Sequence, residues 1–96
     1  MTEEMRLENL QKVADDIEKM IRNYGRRKDI VIWFAVMTDE EIGEFSDWDQ
    51  RRLGLLHGEE MFIIGEPDRV LYAVNVTGDS VLTAAYELMR LVSAKF

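Results

Sequence analysis

Eight consecutive apolar residues, Ile30-Val31-Ile32-Trp33-Phe34-Ala35-Val36-Met37, constrain this chain more than any other stretch. β-Branched and aromatic side chains favour extended backbone, and successive side chains of a strand point to opposite faces. A strand with no polar alternation has two faces to cover. It belongs at the centre of a sheet, or something else must lie over its outer face. It is too short to cross a bilayer.

The flanking segments show what could do the covering. Leu7, Leu10, Ala14, Ile17, Ile21 and Tyr24 recur with helical spacing, which predicts a helix over 3–24. Val13 and Met20 widen its stripe, Thr2 can cap its start, and Gly25 can end it. Residues 61–64 and 69–77 read as two strands joined by the turn Gly65-Glu66-Pro67-Asp68, a hairpin. Strict alternation puts Val70, Tyr72, Val74 and Val76 on one face and Leu71, Ala73, Asn75 and Thr77 on the other. A second long helix is expected over 80–94, with Asp79 as its cap.

Residues 38–58 are the hardest to place. Thr38 with Glu41, and Ser46 with Asp49, fit capping boxes. They predict a turn at 39–43 and a helix from Asp47 to about Leu56, closed by Gly58, with Gly54 inside it. At 96 residues the chain has room for one domain, 1–96. The fold class expected is α+β, α-β-(α)-β-β-α: a small three-stranded antiparallel or mixed sheet with two long helices packed on one face.

Charge is distributed unevenly over this scaffold. The chain carries −7 overall, and residues 38–68 alone hold ten acids against two bases. Residues 1–37 are balanced and 69–96 slightly basic. Net negative charge disfavours nucleic acid and anionic membrane as direct partners and favours a basic protein surface. In 39–49 the acids interleave with Ile42, Phe45 and Trp48 and no base interrupts them. Carboxylates give long-range attraction, and aromatics give desolvated contact area. The candidate partner-binding residues are therefore Glu40, Glu41, Glu44, Phe45, Asp47, Trp48 and Asp49. The plainer alternative is a solvated loop with acids at helix N-termini, where the dipole favours them.

Other chemistry finds little support. There is no cysteine and a single histidine, His57, and no serine sits in a G-x-S-x-G turn. His57, just before Gly58, reads as a helix-end residue. The acids fail the EF-hand pattern, since Arg51 and Arg52 fall at the fifth and sixth positions counted from Asp47. No catalytic residue, metal site or cofactor is expected. Thr77-Gly78-Asp79-Ser80 lacks the lysine of a P-loop and reads as a helix cap. Arg22, Arg26, Arg27 and Lys28 suit the C-terminal end of the first helix.

Two apolar surfaces suggest self-association. Trp33 or Phe34 must face away from the helical layer, where Trp33 with Leu71 and Ala73 would form a patch unless residues 38–58 fold over it. On the last helix, Val81, Leu82, Ala85 and Met89 broaden the apolar face beyond what a small sheet covers. The combination of small size, acidity and no cysteine is similar in type to many phage or mobile-element inhibitor proteins. The leading expectation is a non-enzymatic, cytoplasmic, acidic protein-binding module, an inhibitor that occupies the basic groove of a nucleic-acid-binding enzyme and forms a homodimer. The alternative is a structural or accessory subunit that self-associates through apolar sheet or helix surface, its acids serving only solubility.

Overall fold

The computed structural model describes residues 2–25 and 27–96. Met1 and Arg26, the latter counted above in the basic cluster, fall outside them. The elements run α1 (Glu3–Tyr24), β1 (Val31–Val36), α2 (Asp39–Gly43), α3 (Asp47–Leu53), β2 (Glu60–Glu66), β3 (Arg69–Asn75) and α4 (Val81–Lys95). The three strands form one antiparallel sheet in the order β1-β2-β3. This is the expected α+β arrangement, with both long helices on one face.

Helix α1 starts where Thr2 Oγ1 accepts the Met5 N–H at 3.1 Å, and ends where the Gly25 N–H reaches Ile21 O at 2.8 Å. It buries Leu10, Ala14, Ile17 and Ile21. Tyr24, placed by spacing on the same stripe, is 88% exposed, because it lies in the last turn. Helix α4 buries Ala84, Leu88 and Val92 and is capped by Ser80, not Asp79: Ser80 Oγ accepts the Thr83 N–H at 3.1 Å.

Strand β1 is not central. It is an edge strand, and β2 lies in the middle with Met61 through Gly65 all buried. What satisfies the apolar run is the second possibility, a cover over the outer face. Ile32, Phe62 and Ile64 pack under the long helices. Phe62 is fully buried and meets Phe34 edge-on, ring centroids 5.7 Å apart. Burial of one such ring contributes on the order of 2–3 kcal/mol. On the opposite face Met37, Leu55, Met61 and Ile63 form a second cluster, closed by Trp33, Ile42, Phe45 and Leu53. The segment 38–58 therefore lies over the sheet, and Trp33 is part of a core instead of an open patch.

The alternation expected for β3 fails at one point. A bulge between Ile64 and Gly65 pairs Ile64 with Tyr72 but Gly65 with Val70. Leu71 is the extra residue. Beyond it the two faces exchange: Val70 packs with the second cluster and Leu71 with the helix-side core, the reverse of strict alternation. Gly65 makes room for the kink, since a Cβ there would sit 2.9 Å from the Arg69 carbonyl oxygen.

One ion pair ties the far ends of the chain together. Arg6 Nη1 and Nη2 donate to Glu60 Oε2 and Oε1 at 2.9 and 2.8 Å, a two-bond fork. Arg6 Nε donates to Asp79 O at 2.8 Å, and Glu60 Oε1 accepts the Gly78 N–H at 3.0 Å. α1, β2 and the turn before α4 meet at this point. Both side chains are nearly buried, 14% and 13% exposed. The Arg6 guanidinium holds the Glu60 carboxyl below its ordinary value of 4.5, and Glu60 raises Arg6 in return.

Two predictions follow from this packing. Glu60→Gln leaves Arg6 charged and poorly paired in a nearly buried place, and should cost about 2–4 kcal/mol in urea unfolding at neutral pH. Because the folded pKa of Glu60 lies below its unfolded value, its stabilisation is complete above about pH 4.5 and is lost as pH falls through the folded value. The acid limb of the stability curve should therefore be shallower in the variant than in wild type. Gly65→Ala should lower stability by about 1–3 kcal/mol in thermal melting, because the added methyl meets backbone and not a mobile side chain.

Candidate functional site

The acidic residues lie on the face opposite the long helices, carried by α2 and α3. Helix α2 forms because Thr38 Oγ1 accepts the Glu41 N–H at 3.1 Å. What the sequence suggested as a turn at 39–43 is thus a five-residue helix. Helix α3 begins in the same way, with Ser46 Oγ accepting the Asp49 N–H at 3.1 Å. It stops at Leu53, earlier than expected, because Gly54 adopts a left-handed conformation (φ 65°) and caps it. Leu55 then turns into the second core cluster, which fixes α3 against the sheet.

This anchoring divides the candidate contact residues. Phe45 is half-buried and packs on the second cluster, so it holds α2 and α3 down. Gln50 Nε2 donates to Phe45 O at 2.9 Å and fixes the junction between the two helices. Trp48 points the other way and is 72% exposed. Glu40, Glu44 and Asp47 are exposed, and Glu41 is half-buried. None of these four carboxylates has an ion-pair partner among the described residues.

Asp49 differs from them. Its Oδ1 holds Arg52 Nη2 at 2.9 Å. The same guanidinium donates to Leu71 O and Val70 O, both at 2.8 Å. Arg52 thus clamps the carbonyls that the bulge turns out of the β3 edge, and Asp49 orients it. The spacing Asp49-x-x-Arg52 puts both on one side of a helix and could have shown the pairing in the sequence. The carbonyl clamp depends on the bulge and could not be read there. Beside it Trp48, Asp49, Arg52, Arg69 and Tyr72 line a shallow open groove of about 440 Å³.

The remaining acids of the segment are mostly committed elsewhere. Glu60 holds Arg6, and Glu66 holds Arg27 and Arg69 at 3.1 and 2.7 Å. Arg27 also pairs with Asp29 at 3.1 Å and keeps that carboxyl below its ordinary range. The described members of the basic cluster, Arg22, Arg27 and Lys28, are spent in the same fold-supporting way. Arg22 Nε donates to Ile30 O at 3.0 Å, and Lys28 Nζ donates to Arg22 O at the end of α1. His57 does not end a helix. Its Nδ1 lies 2.9 Å from Asp39 Oδ1 on the exposed surface. Among the described residues, no three of the acids and histidine converge in a set that could hold a metal ion.

At the strand–helix junction Thr77-Gly78-Asp79-Ser80, the place an external anion could take is filled internally. The Glu60 carboxylate accepts the Gly78 N–H, and Ser80 caps α4.

The self-association candidates also separate. Trp33 and Leu71 are half-buried in the two cores, and Val81, Ala85 and Met89 are half-buried on α4. Leu82 is 81% exposed. Tyr86 on the same helix, and Tyr24 and Met20 on α1, are exposed too and do not figure among the interface residues read from the sequence. Their signal was the second apolar stripe on α4 and the width of the α1 stripe.

Among the described residues no helix is long and apolar enough to cross a membrane. Compared with models of known protein families, with curated proteins and with solved structures, the chain matches none.

Proposed function

We propose that the protein is a non-enzymatic binding module whose α2–α3 face docks on a basic protein surface. The observation that carries this reading is the exposure of Trp48 on a segment whose exposed carboxylates the fold leaves unpaired: Glu40 on α2, Glu44 at its end and Asp47 next to Trp48 on α3. Acids needed for folding are paired with arginine; these three are not. Unpaired exposed charge steers encounter with a partner of opposite sign, and a protruding indole supplies the contact area that holds it. In the form we favour, the carboxylates stand where phosphates would stand in the basic groove of a nucleic-acid-binding protein, and the module inhibits by occupation.

The anchor in this reading is Trp48, because Phe45 is committed to the core. Asp49 contributes through Arg52 and not as a free charge. A test variant should therefore carry Glu40→Gln, Glu44→Gln and Asp47→Asn and leave Asp49 in place. Immobilised wild type should capture a basic protein from host lysate at low salt and release it at high salt. The triple variant should bind that protein at least about tenfold more weakly, with a flatter salt dependence. Trp48→Ala should weaken binding by about 2 kcal/mol without altering the melting temperature much. Excess double-stranded DNA should displace the partner if the groove is a nucleic-acid site. Equal capture by wild type and triple variant would remove the acidic face from consideration.

A further inference from the structure

Helix α3 carries Trp48 but has only seven residues, too few for a helix to hold itself in place without tertiary contacts. Its apolar ties to the sheet run through Leu53 and, on either side of the helix, Phe45 and Leu55. Apolar contact is non-directional, so these ties fix the depth of α3 better than its roll about its own axis. Among the described residues, the hydrogen bonds that join residues 39–57 to a strand all come from one side chain, Arg52. Gln50 bonds Phe45 O and His57 lies against Asp39, both within the segment.

The seat for Arg52 is made by the β3 bulge. In a regular strand successive carbonyls point to opposite edges, so one guanidinium could not reach two in a row. With Leu71 as the extra residue, Val70 O and Leu71 O both come within reach of α3. Arg52 Nη1 donates to Leu71 O and Nη2 to Val70 O, both at 2.8 Å. Asp49 Oδ1 takes Nε at 3.3 Å and Nη2 at 2.9 Å, and so holds the plane of the fork. A planar guanidinium meets all three acceptors at once; an ammonium has no such fixed fork. Trp48 stands four residues before Arg52, which puts the two side chains on the same side of α3. They border one groove, with Tyr72 beside them. A roll of α3 that turned Trp48 away would pull Arg52 from both carbonyls.

We infer that Arg52 is the positioning residue for Trp48: with Trp48 as the docking anchor proposed above, the clamp of Arg52 on the bulge sets the direction in which the indole is presented. Bulges re-aim neighbouring side chains in this way. Arg52 acts through α3 and has no need to touch the partner. An anchor already oriented before encounter avoids the ordering cost that binding would otherwise meet.

Arg52→Lys separates the clamp from the charge, because it keeps the cation and loses the fork. Arg52→Ala removes both. Order parameters of the backbone amides report on the clamp without any partner. In wild type those of Asp47–Leu53 should match β2, at about 0.85, and in both variants the Trp48 value should fall toward about 0.6 while β2 holds. A side chain that only adds stability would lower the melting temperature and leave the order of α3 in the folded state unchanged. Toward the basic protein that wild type captures, Arg52→Lys should bind about three- to tenfold more weakly. Its salt dependence should equal that of wild type, since no charge is lost. Unchanged order of α3 in either variant would overturn the inference, and so would a loosened α3 with undiminished affinity. A wild type that captures no basic protein would remove the docking role itself, an outcome told apart because the order parameters are read on the free chain.

Discussion

Strand β2 has to be dry on both sides. Five consecutive residues, Met61 to Gly65, are buried, and three strands cannot cover their own faces. The apolar run of β1 extends the same demand to its neighbour. Two covers are therefore required, and they differ in kind. The long helices supply one with contiguous apolar stripes. The other is made by a short irregular segment, which reaches the sheet through Ile42, Phe45, Leu53 and Leu55. Such a segment is nearly all surface apart from those anchors. Its other positions can carry any polar residue at little cost to the core, and here they carry carboxylates. The acidic face is thus a consequence of where the second cover has freedom.

Polar bonds close what the apolar clusters leave open. Sheets expose unpaired groups at their edges, and those groups attract other strands. On the β1 edge, Glu18 Oε1 accepts the Ile32 N–H at 2.7 Å, and Arg22 reaches Ile30 O. On the β3 edge, Arg52 occupies the two bulge carbonyls. Each such bond contributes about 1 kcal/mol and also makes the edge a poorer template for another strand. The Arg6–Glu60 fork does the equivalent at the end of the molecule, where α1, β2 and the approach to α4 would otherwise present unpaired groups at a nearly dry junction. Association through a sheet edge is discouraged on both sides, which leaves the two outer faces as the surfaces available to partners.

How much of this could be read in the sequence depended on how local the cause was. The bounds of α1 were legible to the residue, because its cap and stop are set by neighbouring residues, and its stripe was legible except at Tyr24. The antiparallel hairpin was legible, but its turn, read as Gly65 to Asp68, is only Pro67-Asp68, because Gly65 and Glu66 pair within β2. α3 was read too long. A glycine within a helical pattern and a glycine that ends the helix look alike until one knows that Leu55 must turn into a core. The bulge was invisible, and with it the face of Val70 and Leu71; its trace in the sequence was a glycine on the inner side of a hairpin. Among the acids, residue types gave the region but not the roles. Glu60 pairs with a residue 54 positions away, which no spacing rule reaches. That long-range pairing separates structural acids from free ones.

The two outer faces have different physics. The outer surface of α1 and α4 exposes apolar side chains, Leu82 and Tyr86 among them, beside charges of both signs. The α2–α3 face is mostly acidic, with Glu40, Glu44 and Asp47 exposed and Arg51 the exposed base in the last turn of α3 that no acid pairs among the described ion pairs. The two surfaces lie on opposite sides of a single sheet. Each keeps its own chemistry because the dry strand β2 separates the long helices that carry the one from the short helices that carry the other.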